Sequence, residues 1–280
     1  MRLSYRVSRL LGSVHSNGNL VFLPPDGSSV LSAVRNRVVW VDLVEHTSSV
    51  LPFEARKDIK LMAVSNDGRL LVAVDVDGRA HLVNIQRRVV LHRLNYKKRV
   101  RALAFSPDDR MIAAAVGKQV QIWRTPLHRQ PMTLLRSFGG HHDAVTCLDW
   151  SQDSARLLAG SKDMCVRVYN VRPLPPSLPL ARKCRDAIRS CFFDRTGDAA
   201  YSVARDGAVF IWRWQSDPEA ATAIAAGQHV PRTIANGRWR LGAKRFVRPG
   251  RAQVMSVAFH RQRSLLVVGF SSGVFGVYDM

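Results

Sequence analysis

The chain has 280 residues, with 42 lysines and arginines against 21 aspartates and glutamates, which gives a net charge of +21 at pH 7. Its hydrophobic share of 46% and charged share of 22% exclude a disordered chain, a collagen-like fibre and a small disulfide-stapled scaffold, and no run reaches the roughly 18 apolar residues that a membrane span needs. A surface this basic repels itself unless an acidic partner neutralises it, so the charge predicts a polyanionic partner. The absence of a long apolar run predicts no membrane partner.

A turn signal recurs along the chain at nearly constant intervals. The first residues of these turns, Asp26, Asp67, Asp108, Asp153 and Thr196, are 41 to 45 residues apart. Segments of alternating apolar and polar residues keep the same interval, at 38–42, 120–124, 166–170, 209–213 and, after a longer gap, 275–279. Short strands in units of about 40–45 residues are typical of β-propeller blades. The sequence therefore predicts six recognisable repeats, which begin near residues 19, 59, 100, 145, 188 and 254.

The fourth repeat is the most complete, and it resembles a WD repeat. It contains the Gly140-His141 pair, Trp150, the Gly160-Ser161-Lys162-Asp163 turn and the Tyr169-Asn170 pair. The resemblance covers nearly the whole chain and implies an all-β fold, a WD40 β-propeller of four-stranded antiparallel blades. Other repeats depart from the pattern, since the tryptophan–aspartate pair reads Val41-Asp42, Val83-Asn84 and Trp123-Arg124. The fold prediction rests on period and alternation, which these departures leave intact.

Four polar side chains of this repeat could bond across its strands. They are His141, with His142 as its alternative, Ser161, Asp163 and Tyr169. A histidine, a serine and an aspartate also suggest a catalytic arrangement, but no nucleophile-elbow sequence surrounds the serine. We therefore predict a buried polar network that stabilises the blade. No paired carboxylates, phosphate-binding glycine loop or metal-spaced histidines are present in the sequence, so we predict neither an enzyme nor a cofactor, and no small-molecule substrate.

The cysteines predict reduced surroundings. Cys147, Cys165, Cys184 and Cys191 form no C-x-x-C pair, so we interpret them as small buried hydrophobic residues and predict no metal site. Arg2, Arg6 and Arg9 interrupt any apolar segment at the N-terminus, which excludes a secretory signal.

The interval between the fifth and sixth repeats is about twenty residues longer than the others, and the surplus lies at 215–250. We predict a basic loop insertion there, because its second half carries cations and aromatic residues but no acidic residue. The candidate RNA-binding residues are Arg232, Arg238, Trp239, Arg240, Lys244, Arg245, Arg248 and Arg251, with Phe246 interleaved. Arginine forks suit phosphates, and aromatic faces can stack on unpaired bases.

Two other interpretations of the insertion stay open, a solvated loop and a segment that docks on an acidic protein surface. A smaller basic cluster, Lys97, Lys98, Arg99 and Arg101, precedes the first strand of the third repeat. A run that short is usually solvated, so we assign it no function.

The organisation predicted is a single propeller domain over residues 1–280. Residues 19–280 form the blades, and residues 1–18 supply an outer strand that closes the ring, for which 4–14 is the candidate. Closure matters because an open stack would present unpaired backbone at both ends. The sixth repeat stops after its third predicted strand, so we expect the ring to be incomplete in this chain.

Stretches outside the general repeat pattern resemble one family within the WD-repeat proteins, the scaffold subunits of the small-subunit processome. These stretches run from the first repeat to the last, at 5–14, 18–22, 36–38, 160–164, 187–193 and 266–273. Members of this family carry two tandem propellers and a C-terminal helical region. The resemblance therefore implies that this chain is the N-terminal propeller of a longer protein, with the second propeller and the helical region absent.

The family resemblance also implies a function. It is that of a non-enzymatic scaffold of the UTP-B subcomplex, located in the nucleus and nucleolus, in early pre-ribosomal RNA processing. The implied partners are the 5′ external transcribed spacer of the pre-rRNA, the small nucleolar ribonucleoprotein and other WD-repeat subunits. An RNA-rich particle would supply the anions that the net charge of +21 calls for.

One alternative function belongs to another class of protein. The segment 169–172, Tyr-Asn-Val-Arg, weakly resembles the Trp-Asp-x-Arg box of cullin ubiquitin ligase substrate receptors. This alternative predicts co-purification with a cullin adaptor, whereas the scaffold predicts ribosome-assembly factors and small nucleolar RNA.

Overall fold

The computed structural model describes residues 18–24, 27–126, 131–171, 178–180, 185–215, 238–247 and 252–280. All regular secondary structure among these residues is β-strand. None of the described residues belongs to a helix that could cross a membrane. The chain divides into two compact units, residues 1–105 and 106–280, and the boundary falls between the first and second strands of the third sheet.

The first unit contains nine strands. The first sheet contains β1 (Leu20–Phe22), β2 (Ser29–Val34), β3 (Arg37–Asp42) and β4 (Thr47–Val50). The second sheet contains β5 (Ile59–Val64), β6 (Leu70–Asp75), β7 (Arg79–Asn84) and β8 (Val89–Asn95). Strand β9 (Val100–Phe105) is the first strand of the third sheet.

The second unit contains the remaining strands. They are β10 (Met111–Val116), β11 (Gln119–Arg124) and β12 (Thr133–Phe138) of the third sheet; β13 (Val145–Trp150), β14 (Arg156–Ser161), β15 (Val166–Asn170) and β16 (Leu178–Leu180) of the fourth; β17 (Ile188–Phe193), β18 (Ala199–Ala204), β19 (Ala208–Gln215) and β20 (Arg238–Phe246) of the fifth; and β21 (Val254–His260), β22 (Leu265–Phe270) and β23 (Phe275–Asp279) of the sixth. Neighbours in each sheet follow chain order, and the pairings within each unit are antiparallel.

The six sheets confirm the six predicted repeats. Their first strands begin at residues 20, 59, 100, 145, 188 and 254, within one residue of every predicted start. Five sheets have four strands, and the sixth has three among the described residues. Residues 1–17, which contain the predicted closing strand, lie outside the described part of the chain.

The predicted loop insertion at 215–250 differs from the structure in its second half. Residues 238–246 form β20, the outer strand of the fifth sheet, rather than a loop. The strand pairs with β19 over its whole length, with a register shift opposite Ile211 and Trp212. The arginines and lysine of this strand and its central Gly242 obscured the alternation of apolar and polar residues. Residues 216–237 lie outside the described part of the chain.

The turn signals have a common chemistry in three sheets. Ser65 Oγ donates a hydrogen bond of 2.5 Å to Asp67 Oδ1 and accepts one of 2.9 Å from the Leu70 amide. The same clamp recurs at Ser106, Asp108 and Met111, and at Ser151, Asp153 and Arg156. Because a short side chain closes the turn, each inner hairpin is defined by its local sequence.

The core lies between neighbouring sheets within each unit. In the first unit, Leu31, Ile59 and Leu71 belong to one buried cluster of the first two sheets. In the second unit, Phe193 and Trp212 belong to a cluster shared by the fourth and fifth sheets. The second strands β6, β10, β14 and β18 are buried at every residue after the first. These strands are therefore mostly apolar, with single buried polar residues such as Asp75, Ser161 and Ser202.

Candidate nucleic-acid interface

The predicted basic segment is displayed on an edge strand. Strand β20 is the last strand of the fifth sheet and pairs only with β19 among the described residues. Of the predicted RNA-binding residues, the structure places Trp239, Arg240, Lys244 and Arg245 on this strand, and it places the backbone of Arg238 there. Arg232, Arg248 and Arg251 lie outside the described residues.

Two arginines lie side by side on the face of the fifth sheet that carries the odd-numbered residues of β19. Arg213 of β19 is the register partner of Arg240 of β20, and both side chains are exposed. The Arg213 stem lies over Gly242, because its Cγ and Cδ are 3.5 Å from the position that a Cβ of Gly242 would occupy. A Cβ at this position would be in ordinary van der Waals contact with the arginine stem. Arg213 carries no signal in the sequence, since its position beside Arg240 follows only from the register.

A lysine on the opposite face of the same strand is held between aromatic rings. Lys244 Nζ lies 5.1 Å from the ring centroid of Phe210 and 4.7 Å from that of Phe246. Phe246 is 63% exposed, so its ring is open to solvent beside the ammonium. Cation–π attraction holds the charge at the surface, and Phe246 offers the exposed aromatic face that the sequence predicted for this segment.

Arg245 reaches the sixth sheet. Its Nη1 donates a 3.3 Å hydrogen bond to the carbonyl oxygen of Asp279, and the side chain stays exposed. No carboxylate of the described residues forms an ion pair with Arg213, Arg240, Lys244 or Arg245. We call these four residues the β20 strip, and its charges are available to an anionic partner.

Trp239 has a different environment from the one that base stacking requires. Its ring is half-buried, 5.5 Å from Trp214 in an edge-to-face contact and 6.1 Å from Phe193. The Arg156 guanidinium lies 6.0 Å from the Trp239 centroid. The tryptophan therefore packs on the core of the fourth and fifth sheets, and the structure does not support the predicted stacking of Trp239 on a base.

The four residues of the predicted polar network lie together in the fourth sheet. His141 Nδ1 is 3.2 Å from Asp163 Oδ2, and with the proton on that nitrogen the histidine donates to the carboxylate. Asp163 also accepts hydrogen bonds from the amides of His142, at 2.8 Å, and Cys165, at 3.0 Å. The carboxylate thus joins the segment before β13 to the turn between β14 and β15.

The serine and the tyrosine bond to backbone. Ser161 Oγ lies 3.0 Å from the carbonyl oxygen of Asp143 and 3.2 Å from the Asp163 amide, which donates to it. Tyr169 donates a 3.0 Å hydrogen bond to the carbonyl oxygen of Gly139, and its ring stacks on Phe138 at 4.8 Å. The serine hydroxyl thus bonds to backbone rather than to a histidine that could activate it, so the arrangement fixes the sheet and defines no nucleophile.

Replacing His141 by glutamine is expected to lower the free energy of unfolding by about 1–2 kcal/mol at pH 8, because the flexible amide does not reproduce both the position of Nδ1 beside Asp163 and the edge contact of the ring with Tyr169. Burial lowers the pKa of His141 below its ordinary 6.5, against the attraction of Asp163. As pH falls below 6.5 the unfolded chain takes up the proton first, so the wild-type protein loses this contribution and the difference between the two proteins shrinks.

Urea unfolding at pH 8 and pH 5.5 measures that change. The matched control is His142→Gln, because His142 is the exposed neighbour and carries the same ionisable group. A difference between wild type and His141→Gln that is the same at both pH values would contradict the burial of a neutral histidine.

The cysteines fit their interpretation as buried hydrophobic residues. Cys165 and Cys191 are buried, Cys147 is half-buried, and all three are free thiols. Cys147 Sγ and Cys191 Sγ are 3.3 Å apart, and burial raises the pKa of the Cys191 thiol well above its usual value. The described residues contain no group of three or more metal-ligating side chains. Cys184 lies outside the described part of the chain.

The tetrapeptide that suggested a cullin receptor is only partly described. Tyr169 is fully buried and Val171 is buried, while Arg172 lies outside the described residues. The tyrosine of this tetrapeptide is therefore part of the buried interior of the fourth sheet.

Comparison with known proteins defines the class. The family model for the WD domain, G-beta repeat, matches residues 88–124 and 132–170. The β-propeller domain of Cps50 (Swd1) from Myceliophteria thermophila has a TM-score of 0.72 and 15% sequence identity, over 97% of this chain and 85% of that one. The six sheets have the consecutive antiparallel strand order of β-propeller blades, so the chain is a β-propeller protein built of WD40 repeats.

The similarity to one group of WD-repeat proteins extends along the whole chain. The Schizosaccharomyces pombe "Periodic tryptophan protein 2 homolog" is 37% identical over 288 residues, which is 100% of this chain and 33% of that protein. The Saccharomyces cerevisiae "Periodic tryptophan protein 2" is 37% identical over 290 residues, and the mouse homologue is 31% identical over 318 residues. These matches confirm that the whole chain resembles one group of WD-repeat proteins. The chain spans about one third of the length of the curated relatives it matches.

Proposed function

We propose that this chain is a propeller of a ribosome-biogenesis protein, a non-catalytic scaffold in the UTP-B subcomplex of the small-subunit processome. The observation that carries the proposal is the similarity of the whole chain to periodic tryptophan protein 2 from fungi, plants and animals. The scaffold acts in the nucleolus, without a cofactor. It contacts the 5′ external transcribed spacer, the small nucleolar ribonucleoprotein and other WD-repeat subunits. The full-length protein then has this chain as its N-terminal propeller, followed by a second propeller and a helical region.

The surface chemistry supports direct contact with RNA. The chain carries an excess of 21 positive charges, and four exposed cations form the β20 strip without an ion-pair partner among the described residues. Guanidinium groups bind phosphate oxygens in a fork, and each phosphate contact releases a condensed counterion. If the same charges bound an acidic protein surface instead, the affinity would depend less on salt concentration.

Affinity purification of the tagged chain from nuclear extract tests the scaffold. Ribosome-assembly factors and a small nucleolar RNA are expected among the retained molecules. Recovery of a cullin adaptor without these would contradict the scaffold and favour the ubiquitin-ligase alternative. Treatment with ribonuclease before elution separates partners held by RNA from those held by protein contacts.

Neutralising the three cations of the β20 strip that belong to β20 itself tests the RNA contact. The triple variant Arg240→Gln, Lys244→Gln, Arg245→Gln is expected to bind pre-rRNA leader fragments more weakly, because it can no longer bind up to three of the phosphates. Its plot of log affinity against log salt should become shallower by about 0.7 for each phosphate of single-stranded RNA that the variant leaves unbound. Fluorescence anisotropy at four salt concentrations measures both quantities.

The matched control removes the same charges elsewhere. Arg110, Lys118 and Arg195 are exposed cations outside the β20 strip, and their triple glutamine variant keeps the same net charge as the test variant. Equal weakening of RNA binding in the two triple variants would show that only the overall charge matters and would contradict a defined interface at β20.

A further inference from the structure

A cleft of about 450 Å³ lies within the first unit of the chain, away from β20. It is lined by three segments, which are residues 54–56 after β4, residues 79–81 at the start of β7, and residues 93–95 at the end of β8. The cleft therefore opens at the end of the second sheet where β7 begins and β8 ends.

Three arginines line this cleft. Arg56 and Arg93 are exposed and Arg79 is half-buried, and no ion pair with a carboxylate of the described residues involves any of them. The one acidic residue of the lining, Glu54, forms an ion pair with Arg37. The cleft thus combines three guanidinium groups that no described carboxylate neutralises with a carboxylate that already has its partner.

The floor of the cleft is apolar and carries a histidine. Ala55, Ala80 and Leu94 line it, and the His81 ring makes an edge contact of 5.7 Å with Phe53. His81 Nδ1 is buried and has no hydrogen-bond partner among the described residues. Burial lowers the pKa of His81, and the charge of Arg93 lowers it further against a smaller opposing effect of Asp75. The guanidinium of Arg93 is thus close enough to the floor to act on the imidazole.

The positive charges continue beyond the cleft along the next turn. The Tyr96 amide donates a 2.9 Å hydrogen bond to the Gly78 carbonyl oxygen, so the turn after β8 packs on the turn before β7. This contact places the exposed Lys97 and Lys98 next to the segment that begins with Arg79. These two lysines have no predicted function from the sequence, because a run that short carries no signal by itself.

We propose that this cleft is a binding site for one nucleotide of a single-stranded RNA, with Arg79 and Arg93 holding its phosphate. The apolar floor accommodates the sugar or the base, and Lys97 and Lys98 meet the next phosphate along the strand. This inference rests on the proposed function, and it assigns the RNA a second contact in addition to the β20 strip.

Size and charge favour RNA over an acidic peptide. A concave site of about 450 Å³ admits a single unstacked nucleotide and excludes a duplex. The cations form a series that leads out of the cleft, and a phosphodiester chain supplies one negative charge per residue along that path. A peptide would need a run of acidic residues to do the same.

The test compares two double variants of the 280-residue chain in binding a fluorescein-labelled 20-nucleotide oligouridylate. Arg79→Gln with Arg93→Gln removes the proposed phosphate contacts. Arg69→Gln with Arg87→Gln is the control, because these exposed arginines lie at the opposite end of the second sheet. The cleft variant is expected to bind at least about tenfold more weakly, with a salt slope shallower by about 1.4, and the control variant should resemble wild type.

Nuclear magnetic resonance of the His81 ring supplies a second readout. A phosphate bound beside the imidazole should raise the pKa of His81, because an opposite charge favours the protonated form. Titrations with uridine monophosphate and with inorganic phosphate distinguish a nucleotide site from a plain anion site. The shift should be larger with the nucleotide and absent in the cleft variant.

Each contrary result has a distinct meaning. Equal RNA binding by the cleft and control variants, with weaker binding only in the β20 variant, would overturn the cleft and leave the proposed function intact. Tighter binding of hexaglutamate than of hexauridylate, dependent on Arg79 and Arg93, would reassign the cleft to an acidic peptide. Absence of RNA binding by the wild-type chain would overturn both the cleft and the direct RNA contact of the proposed function.

Discussion

Replacing Arg261 by methionine is expected to lower the free energy of unfolding by about 3 kcal/mol at pH 8, because it leaves a buried carboxylate without its counter-ion. Arg261 lies in the turn between β21 and β22, and its Nη2 donates to Asp149 Oδ1 and, at 3.0 Å, to the carbonyl oxygen of Trp150. Asp149 Oδ2 accepts a 2.7 Å hydrogen bond from the Phe193 amide. The carboxylate thus joins three sheets of the second unit, and the Asp149 side chain is only 16% exposed.

The effect of Arg261→Met should depend on pH with a definite sign. Burial raises the pKa of Asp149 to about 6 even with Arg261 beside it, and removal of the guanidinium would raise it further. Below pH 5 the carboxyl is protonated in both folded proteins, so the charge of Arg261 matters little there. Above pH 6 the wild-type carboxylate is ionised and paired, whereas the variant must bury an unpaired charge or keep its proton. The loss of stability therefore grows as the pH rises.

Urea unfolding of wild type and Arg261→Met at pH 5 and pH 8 measures this effect. Arg263→Met is the control, because Arg263 is exposed in the same turn. Adding Asp149→Asn to Arg261→Met should recover part of the stability, since it removes the charge that the first substitution left unpaired. A destabilisation by Arg261→Met that matches the Arg263 control would contradict a structural role for the pair.

Replacing Gly78 by alanine is the second large effect, and it should lower the free energy of unfolding by about 3 kcal/mol. Gly78 closes the turn between β6 and β7 with a φ of +88°, which an L-residue adopts at a cost of about 1–2 kcal/mol. A Cβ at this position would overlap the carbonyl oxygen of Lys98, which is backbone and cannot move without the turn after β8. Relief of such overlap lowers the free energy of unfolding by about 1–3 kcal/mol more.

The chain contains a matched control for this substitution. Gly273 closes the equivalent turn of the sixth sheet with a φ of +79°, and a Cβ there would meet nothing within 4 Å. Gly273→Ala should therefore cost only the conformational part, about 1 kcal/mol. Thermal unfolding of both variants measures the difference, and equal destabilisation would show that the overlap with Lys98 is relieved without penalty.

The period of the sequence was sufficient to predict the sheets. Five turns spaced 41 to 45 residues apart, together with the alternating segments, located all six first strands within one residue. In three of these turns the serine–aspartate clamp is built from local sequence. The outer strand of the fifth sheet was predicted as a loop instead. In β20 the alternation is carried by arginine, lysine and tryptophan around a central glycine, and only pairing with β19 reveals it.

The candidate site was predictable in part. A run of cations without acids located the β20 strip, but the sequence could not show that Trp239 packs inward or that Arg213 lies beside Arg240. The cleft arginines are separated by 23 and 14 positions, and they converge only because the loop after β4 packs on the second sheet. Sites built from such distant positions need the tertiary structure.

The serine–aspartate clamps have a consequence for synthesis on the ribosome. Each clamp closes a hairpin through contacts between residues no more than five positions apart, so its formation requires little loop entropy and no neighbouring sheet. The hairpins of the second, third and fourth sheets can therefore form one after another as the nascent chain emerges. Early pairing satisfies backbone hydrogen bonds along one edge of each apolar second strand, in a protein whose inter-sheet packing must wait for later residues.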